Sequence, residues 1–547
     1  MKKHIQRFKD NKKSVLIFLA IMIVGIFLRT YQHADLMRFG KDQARDASLM
    51  RDYVSGAQPL PLLGPNMGKL EFVLGPAFYY LQYISAKMFG FSPETIAFPD
   101  LLFSIMTIPM LFFFLKKYFS KNISLALTAV YSVSFYAVQN GRFAWNPNSL
   151  MLFSMLFLYS FLELANQKQK KKIFWAIMVG VALGIGVQLH TLFIFIGCAT
   201  FFIATLYLIK KKKLVWKNIF VVLTIAFLLN IPQVISEWNT RGVNTKAFFS
   251  GVGQESFASN PFPLNMFVST AWQLQGNTMF VFPAGDDTTL HIFNLVDSFE
   301  HNYSKGTKGI LSNAPDLMRI LAGISLSIMG YVLLFRSVKK EEDIEKKMYL
   351  QLIGVWVITG FLFMIPLSHV LELRYLLILQ FVPFVLLGLL VEFLQEKFKK
   401  NAFYWTLSFL VILYVWNIYS VFVEFNSFTA GDGDIGISIW GEEKFAGDFI
   451  LEHKNLNQKV HMLFEPANAD KFIRPLSYFD SSIDAPLLHS DGTPLNDPNT
   501  AYFTLILNDK KEKNVFERAV AKSAIYNITA SASRGRFIIY KLELKNQ

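Results

Sequence analysis

The sequence predicts a polytopic α-helical membrane protein carrying a small α/β domain at its C-terminal end. Three observations lead there. Apolar stretches of about twenty residues, the length a helix needs to cross a bilayer, recur from residue 14 to residue 423. Of the 547 residues, 53% are hydrophobic and 17% charged, less charge than a soluble chain of that length carries. After Gly431 the long apolar runs stop, and short alternating or amphipathic segments take over. The formal charge of +14 then reports Lys and Arg of cytoplasmic loops and does not call for a nucleic-acid partner. The single cysteine, Cys198, lies inside an apolar run, so disulfides within the chain and cysteine metal clusters are excluded.

The elements follow in order. A basic start (Lys2, Lys3, Arg7, Lys9, Lys12, Lys13) precedes apolar Val15 to Leu28 with no small-x-small cleavage site after it, which reads as a retained signal-anchor. Expected spans are 14–32, 95–115, 122–139, 149–165, 173–189, 191–209, 217–235, 316–335, 347–367, 375–394 and 402–423. The clusters QKQKKK (167–172), the four lysines 210–213, RSVKKEEDIEKK (336–347) and KFKK (397–400) belong in the cytoplasm with Lys116, Lys117 and Lys121. Parity then decides the segment 71–90. If it crossed, the lysines at 168–172 would lie outside. Its Gly75-Pro76 and mid-segment Gln82 suit a juxtamembrane or re-entrant helix on the outer surface instead. About 11 spans result, although 265–283 is also moderately apolar. Asp42, the loop 140–148, the turn at His190, the long loop 237–315, the loop before Arg374 and everything after about residue 425 fall outside.

Two domains are expected: 1–424 in the membrane and 425–547 outside it. In the second, AGDGDIG is a linker, followed by a helix at 440–454, strands at 459–464 and 501–507, a helix at 511–524 and a strand at 535–544.

FGKDQARD (39–46) follows directly on the first span. Asp42, Arg45 and Asp46 are spaced i, i+3, i+4 and share one face of a helix that starts there. Asp42 caps that helix, with Arg45 and Asp46 a solvated pair, or it serves chemistry. A carboxylate at the lipid boundary is well placed to act as a base toward a substrate anchored in the same lipid.

The run Asp42-Gln43-Ala44-Arg45-Asp46-Ala47 resembles the Asp-Glu-x-Arg-x-Ala signature in the first outer loop of GT-C glycosyltransferases. The resemblance is to the family 39 type, which includes protein O-mannosyltransferases and the enzyme transferring aminoarabinose to lipid A. Other segments agree in order and spacing over most of residues 10–400. KLEFVLGPAFYYLQYISAKMFGFSPETIAFPDLLFS (69–104) resembles the family's juxtamembrane stretch, and NGRFAWNPNS (140–149) its second outer loop. GVQLHT (186–191) resembles a Gln-x-His turn, NIPQVISEWNTRGVNTKAF (230–248) a Pro–Glu–Asn-Thr segment, and ELRYLLILQFVPF (372–384) the Arg-Tyr start of a late span.

The resemblance implies a sugar donor on a polyprenyl phosphate and an acceptor hydroxyl or amine that attacks the anomeric carbon with inversion. The acceptor is a lipid, a protein or an envelope polymer. Such chemistry needs a carboxylate base near the nucleophile, expected to be Asp42. It also needs cations at the leaving phosphate. Arg142 and Arg374 are the first choices, because guanidinium pairs bidentately with phosphate oxygens. Arg45, Asp46, Lys69, His190, Glu237 and Tyr375 complete the expected substrate-binding set. The family's Asp-Glu is Asp42-Gln43 here, and Asn146 and Asn148 stand in the second loop, where some relatives carry another acid. A metal site of two loop carboxylates is therefore not expected, nor is any other cofactor.

Plainer roles stand beside these. Arg142 would anchor a span at the headgroups, Arg374 pair with Glu372, His190 satisfy carbonyls in a tight turn, and Glu237 end a surface helix. Asp286-Asp287 reads as a turn. Tyr79, Tyr80 and Trp145 would stack on sugar or belong to the interfacial aromatic belt. A lipid-linked-sugar flippase or transporter would place charges in span centres and show two similar halves, and few such charges occur here. An O-antigen ligase or polymerase is the remaining alternative, supported by the long loop 237–315. The expected location is the cell membrane, with the active site and C-terminal domain on the extracytoplasmic side.

Overall fold

The computed structural model describes residues 2–66, 72–255, 261–283, 314–431, 437–463, 469–483, 499–508, 510–522 and 526–545. Eight of its helices are long and apolar enough to cross a membrane: Lys12–Thr30, Phe98–Leu115, Asn146–Ala165, Lys172–Leu189, Thr191–Lys210, Ile320–Lys340, Ile344–Met364 and Ala402–Ala430. Two further pairs pass together but are bent: Trp216–Leu229 with Ile231–Thr240 by 61°, and Leu373–Leu379 with Val382–Phe398 by 56°. The chain is a multi-pass membrane protein, with up to 10 such spans by length and composition among the described residues.

The expected eleventh span, 122–139, is a broken helix. Lys121–Val133 stops at Ser134, and the short Phe135–Asn140 follows. A freed backbone amide in a bundle needs a partner, and the Phe135 N–H finds the Asn417 side chain at 2.8 Å. The Ser134 hydroxyl donates to the Phe280 carbonyl. The path still leads from the lysines at 116–121 to the loop at 141–149.

The expected loop 237–315 is also more structured than a loop. It contains the helices Val243–Glu255 and Phe262–Val281. The second is buried over most of its length, with Asn277 donating to the Tyr331 hydroxyl at 2.9 Å. Continuous helix runs from Val382 to Ala430. Yet the Gln395 amide donates to the Thr406 hydroxyl at 3.1 Å, whereas eleven residues of straight helix would separate them by about 16 Å. The path therefore doubles back between those two residues, giving two antiparallel spans with the KFKK run at their turn.

The ends of the bundle differ in charge. At one end Lys117 pairs with Glu163, Lys168 with Glu345 at 3.5 Å, and Lys346 lies 5.3 Å over the Tyr118 ring. Gln167 donates there to the Lys213 carbonyl. The helix Lys41–Ser55, the segment 141–149 and the turn at His190 gather at the other. Ala77–Phe89 joins them and, at 13 residues, is too short to span.

The C-terminal domain sits on this second end. Its four strands, β1 (Lys459–Leu463), β2 (Thr500–Leu507), β3 (Tyr526–Arg534) and β4 (Phe537–Leu544), lie in the order β1-β2-β4-β3. β1 and β2 are parallel, and the other pairs antiparallel. Helices Trp440–His453 and Ala469–Leu476 bury Phe449, Ile450, Phe472 and Ile473 against Val460, Met462, Phe503 and Ile539 on one face. Lys510–Lys522 packs Val520 and Phe516 toward Tyr502 and Tyr540 on the other. The strand expected at 535–544 is β4, which begins at Phe537.

Candidate functional site

The helix Lys41–Ser55 begins where Gly40 donates its backbone N–H to the Gln43 side chain at 3.0 Å. This back-bond closes the first turn. The amide end of Gln43 donates to the Ala144 carbonyl at 3.0 Å. Gln43, where the resembled signature has an acid, thus pins the helix to the loop 141–149.

The i, i+3, i+4 spacing brings Asp42, Arg45 and Asp46 together, with unequal environments. Arg45 reaches the Asp42 carboxylate at 3.1 Å and holds Asp46 at 2.9 Å through two nitrogens. The Asp42 side chain is 37% exposed, whereas Asp46 is 2% exposed. The Tyr79 hydroxyl donates to Asp46 at 3.0 Å, which carries the helix Ala77–Phe89 to the site. Burial pushes Asp46 up to about 6, with Arg45 and Tyr79 pulling it back down. Burial and the neighbouring Asp46 also raise the Tyr79 phenol, so it stays protonated as a donor. Arg45 and Asp46 are therefore not the solvated pair expected: Asp46 anchors Arg45 from the interior, and Asp42 is the partly exposed carboxylate.

The loop 141–149 is braced on several sides. Asn146 donates to the Leu189 carbonyl at 2.7 Å, Asn148 to the Phe143 carbonyl at 2.8 Å, and the Ser149 hydroxyl to Asp100 at 3.0 Å. Arg142 corrects the expectation of a phosphate contact. It is 1% exposed, and its terminal nitrogens donate to the carbonyls of Leu28 (2.9 Å), Arg29 (3.1 Å), Tyr31 (2.7 Å) and Gln32 (3.4 Å). A helix end leaves its last carbonyls without partners, and Arg142 closes the end of the first span. Its guanidinium lies 4.5 Å over the Phe425 ring. Burial and the nearby Arg29 lower it to about 10.

Beyond the loop stand Arg374, Tyr375 and His190. Arg374 lies 6.0 Å over the Trp145 ring and 5.4 Å over Tyr375, and meets Glu372 at 3.0 Å and 3.2 Å. The expected Glu372 pairing is present, but both side chains are more than a third exposed. Such a pair is weak and exchangeable. The His190 ring packs edge-on to Tyr375 at 5.3 Å. Its Nδ1 accepts the Leu192 N–H at 3.2 Å, capping the helix Thr191–Lys210. His190 thus serves an amide, not the carbonyls expected in the turn. Burial, then Arg374, pushes it down to about 3, so it is neutral with its proton on Nε2. Ala144 and Trp145 join the two groups: Gln43 holds the first, and Arg374 covers the second.

The remaining expectations divide. Lys69 lies outside the described residues, as do Asp286 and Asp287. On either side of Lys69, the Gly64 N–H donates to the Leu74 carbonyl at 2.8 Å and the Leu74 N–H to the Pro65 carbonyl at 3.1 Å. Glu237 accepts from the Thr245 N–H at 3.2 Å and hydroxyl at 2.8 Å, fastening the helix Val243–Glu255 to its own. Among the described residues it makes no contact with the Asp42 group. Tyr79 faces Asp46, not an open sugar site, and Tyr80 donates to the Pro61 carbonyl. Among the described residues no three His, Cys, Asp or Glu stand together as a metal-binding group.

Sequence reasoning overlooked Asp100 and the pinning role of Gln43. An acid at the start of an otherwise apolar span was the available signal for Asp100. For Gln43 the signal was its place three residues after Gly40.

Residues 74–236 match a family model described as dolichyl-phosphate-mannose-protein mannosyltransferase. No curated protein matches the chain. Among solved structures, ArnT from Cupriavidus metallidurans bound to undecaprenyl phosphate shares 10% identity at a TM-score of 0.52, over 96% of this chain and 97% of that one. The same enzyme in the apo state gives 11% and 0.50, over 97% and 98%. At that identity the likeness shows the fold, including the C-terminal domain. The chain thus shares its fold with ArnT, and its residues 74–236 resemble the mannosyltransferase family.

Proposed function

We propose that the protein transfers a sugar from a polyprenyl-phosphate donor to an acceptor at the outer face of the membrane, with inversion. The observation that carries this is Asp42: a carboxylate open to solvent, gripped by Arg45, across a braced loop from Arg374, and at the end of the bundle away from its lysines. The positive-inside rule supports that end as the outer one. ArnT was solved with undecaprenyl phosphate, which supports a lipid phosphate as the donor's leaving group.

The acceptor oxygen or nitrogen bonds to the anomeric carbon while the bond from that carbon to the phosphate oxygen breaks. The electron pair leaves with the phosphate, and the acceptor's proton goes to Asp42. Arg374 is the guanidinium for the leaving phosphate, with Tyr375 and neutral His190 shaping its surroundings. In this reading the phosphate charge is met by side chains, and no metal is required. Asp46 and Tyr79 hold Arg45 in place.

The test is turnover of polyprenyl-phosphate sugar by Asp42→Asn protein, joined to mass spectrometry of lipids and envelope polymers from cells with and without the gene. Loss of turnover at least a thousandfold is expected, of the order general-base removal brings. So is accumulation of one lipid-linked sugar with loss of one decoration. Undiminished turnover, or accessibility labelling that finds position 42 facing the cell interior, sinks the proposal.

A further inference from the structure

The connection between the first span and the helix bearing Asp42 is not an independent loop. Met37 to Phe39 pairs with the start of the C-terminal domain as a fragment of antiparallel sheet. The Phe39 N–H donates to the Ser438 carbonyl at 2.9 Å, and the Trp440 N–H to the Met37 carbonyl at 2.7 Å, with Arg38 opposite Ile439. Gly40 and the first turn of the Asp42 helix follow at once. The other side of this bridge is fastened from within the C-terminal domain. The Ser438 hydroxyl donates to the Glu443 carboxyl, and Glu443 is 0% exposed with its second oxygen unpartnered. Burial, with Glu442 beside it, raises the Glu443 carboxyl well above its ordinary value, and the Ser438 bond pulls against this. The Trp440 ring packs on Phe39 at 4.6 Å and on Phe479 at 5.5 Å, and its indole N–H donates to Glu94 at 2.5 Å. A buried ion pair, Arg536 with Glu442, and the Arg536 bond to the Ile437 carbonyl at 2.8 Å root the same segment in β4.

We infer that the C-terminal domain is a positioning element for the transfer reaction, in which Ser438 and Glu443 fix the strand 437–440 that sets the Asp42 helix. The inference rests on the proposed role of Asp42. Neither residue touches the reacting atoms. They act through the Met37–Phe39 bridge, and a base displaced by a fraction of an ångström loses rate while the donor still binds.

The experiment uses full-length protein in detergent or nanodiscs, with Ser438→Ala, Glu443→Ala and Glu443→Gln. A glutamine keeps the volume and the acceptor for the Ser438 hydroxyl. Ser438→Ala and Glu443→Ala are expected to lower kcat roughly tenfold with donor KM within about twofold, as misplacement of a catalytic group does. They should also speed amide exchange in peptides spanning 37–46, and Glu443→Gln should restore both. Two substitutions at separate positions keep the test readable if one fails to fold. Unchanged kcat, unchanged exchange over 37–46, or a Glu443→Gln protein as impaired as Glu443→Ala overturns the inference. Asp42→Asn is measured alongside. If it keeps its turnover the base assignment falls, whereas the exchange and rescue data report on the bridge by themselves.

Discussion

Replacing Arg142 by Ala tests the reading of this residue as the closure of the first span. Three of its bonds are 3.1 Å or shorter. Hydrogen bonds from a charged donor contribute about 1.5–3 kcal/mol each, or about 4–9 kcal/mol together. Against this stands the cost of burying the guanidinium. Its fall from 12.5 to about 10 corresponds to about 3 kcal/mol. The balance leaves a loss of roughly 1–6 kcal/mol for Arg142→Ala, because the carbonyls of residues 28–31 stay buried without donors. Thermal unfolding in detergent, followed by tryptophan fluorescence, should show the midpoint falling by about 5 °C. Arg374→Ala, whose partner is an exposed Glu372, should leave the midpoint within about 1 °C and act on turnover. If instead Arg142→Ala melts with the parent protein and loses only turnover, the carbonyl contacts are not what holds this residue in place.

Other outcomes follow from the same geometry. Tyr79→Phe removes a donor that lowers Asp46 from an already raised value near 6. The acid limb of the pH–rate profile should therefore move to higher pH, because Asp46 protonates earlier and releases Arg45; a limb that stays put or moves down contradicts this. Gly64→Ala places a methyl 2.1 Å from the Gly75 carbonyl oxygen, so the chain around 64–75 must shift; turnover and yield should both fall, and a parent-like protein would show that the two strands do not approach so closely. Dialysis against EDTA should leave turnover within about twofold if guanidinium groups alone meet the phosphate charge; loss restored by one divalent ion would point to ligands among Asp42 and residues outside the described set.

Much of the architecture was legible because lysines and lipid constrain it strongly. Residues 168–172 and 210–213 lie at the same end as Lys117 and Lys346, and that parity placed 77–89 on the opposite surface as a short helix. The Asp42 group was legible because its partners lie within one helical turn. Arg142 was not. Its partners are carbonyls more than a hundred residues away, and backbone acceptors leave no trace in side-chain chemistry. The break at Ser134 was hidden for a related reason, since it is tolerated only because Asn417 supplies the missing acceptor. β3 escaped because YNITASASR lacks the large alternating apolar residues of a strand packed on both faces. It is an edge strand, turned back into β4 through Gly535 at φ 56°, which glycine adopts without strain.

The ten residues from Tyr31 to Gly40 are fastened at both ends, by Arg142 at the membrane and by Ser438 and Trp440 above it. A tether with so little slack transmits force. A change in the tilt of the first span, as in a thinner or thicker bilayer, therefore reaches the Asp42 helix without being absorbed on the way. Lipid thickness becomes a mechanical input to catalysis, and turnover compared across bilayers of graded acyl length is where it would register.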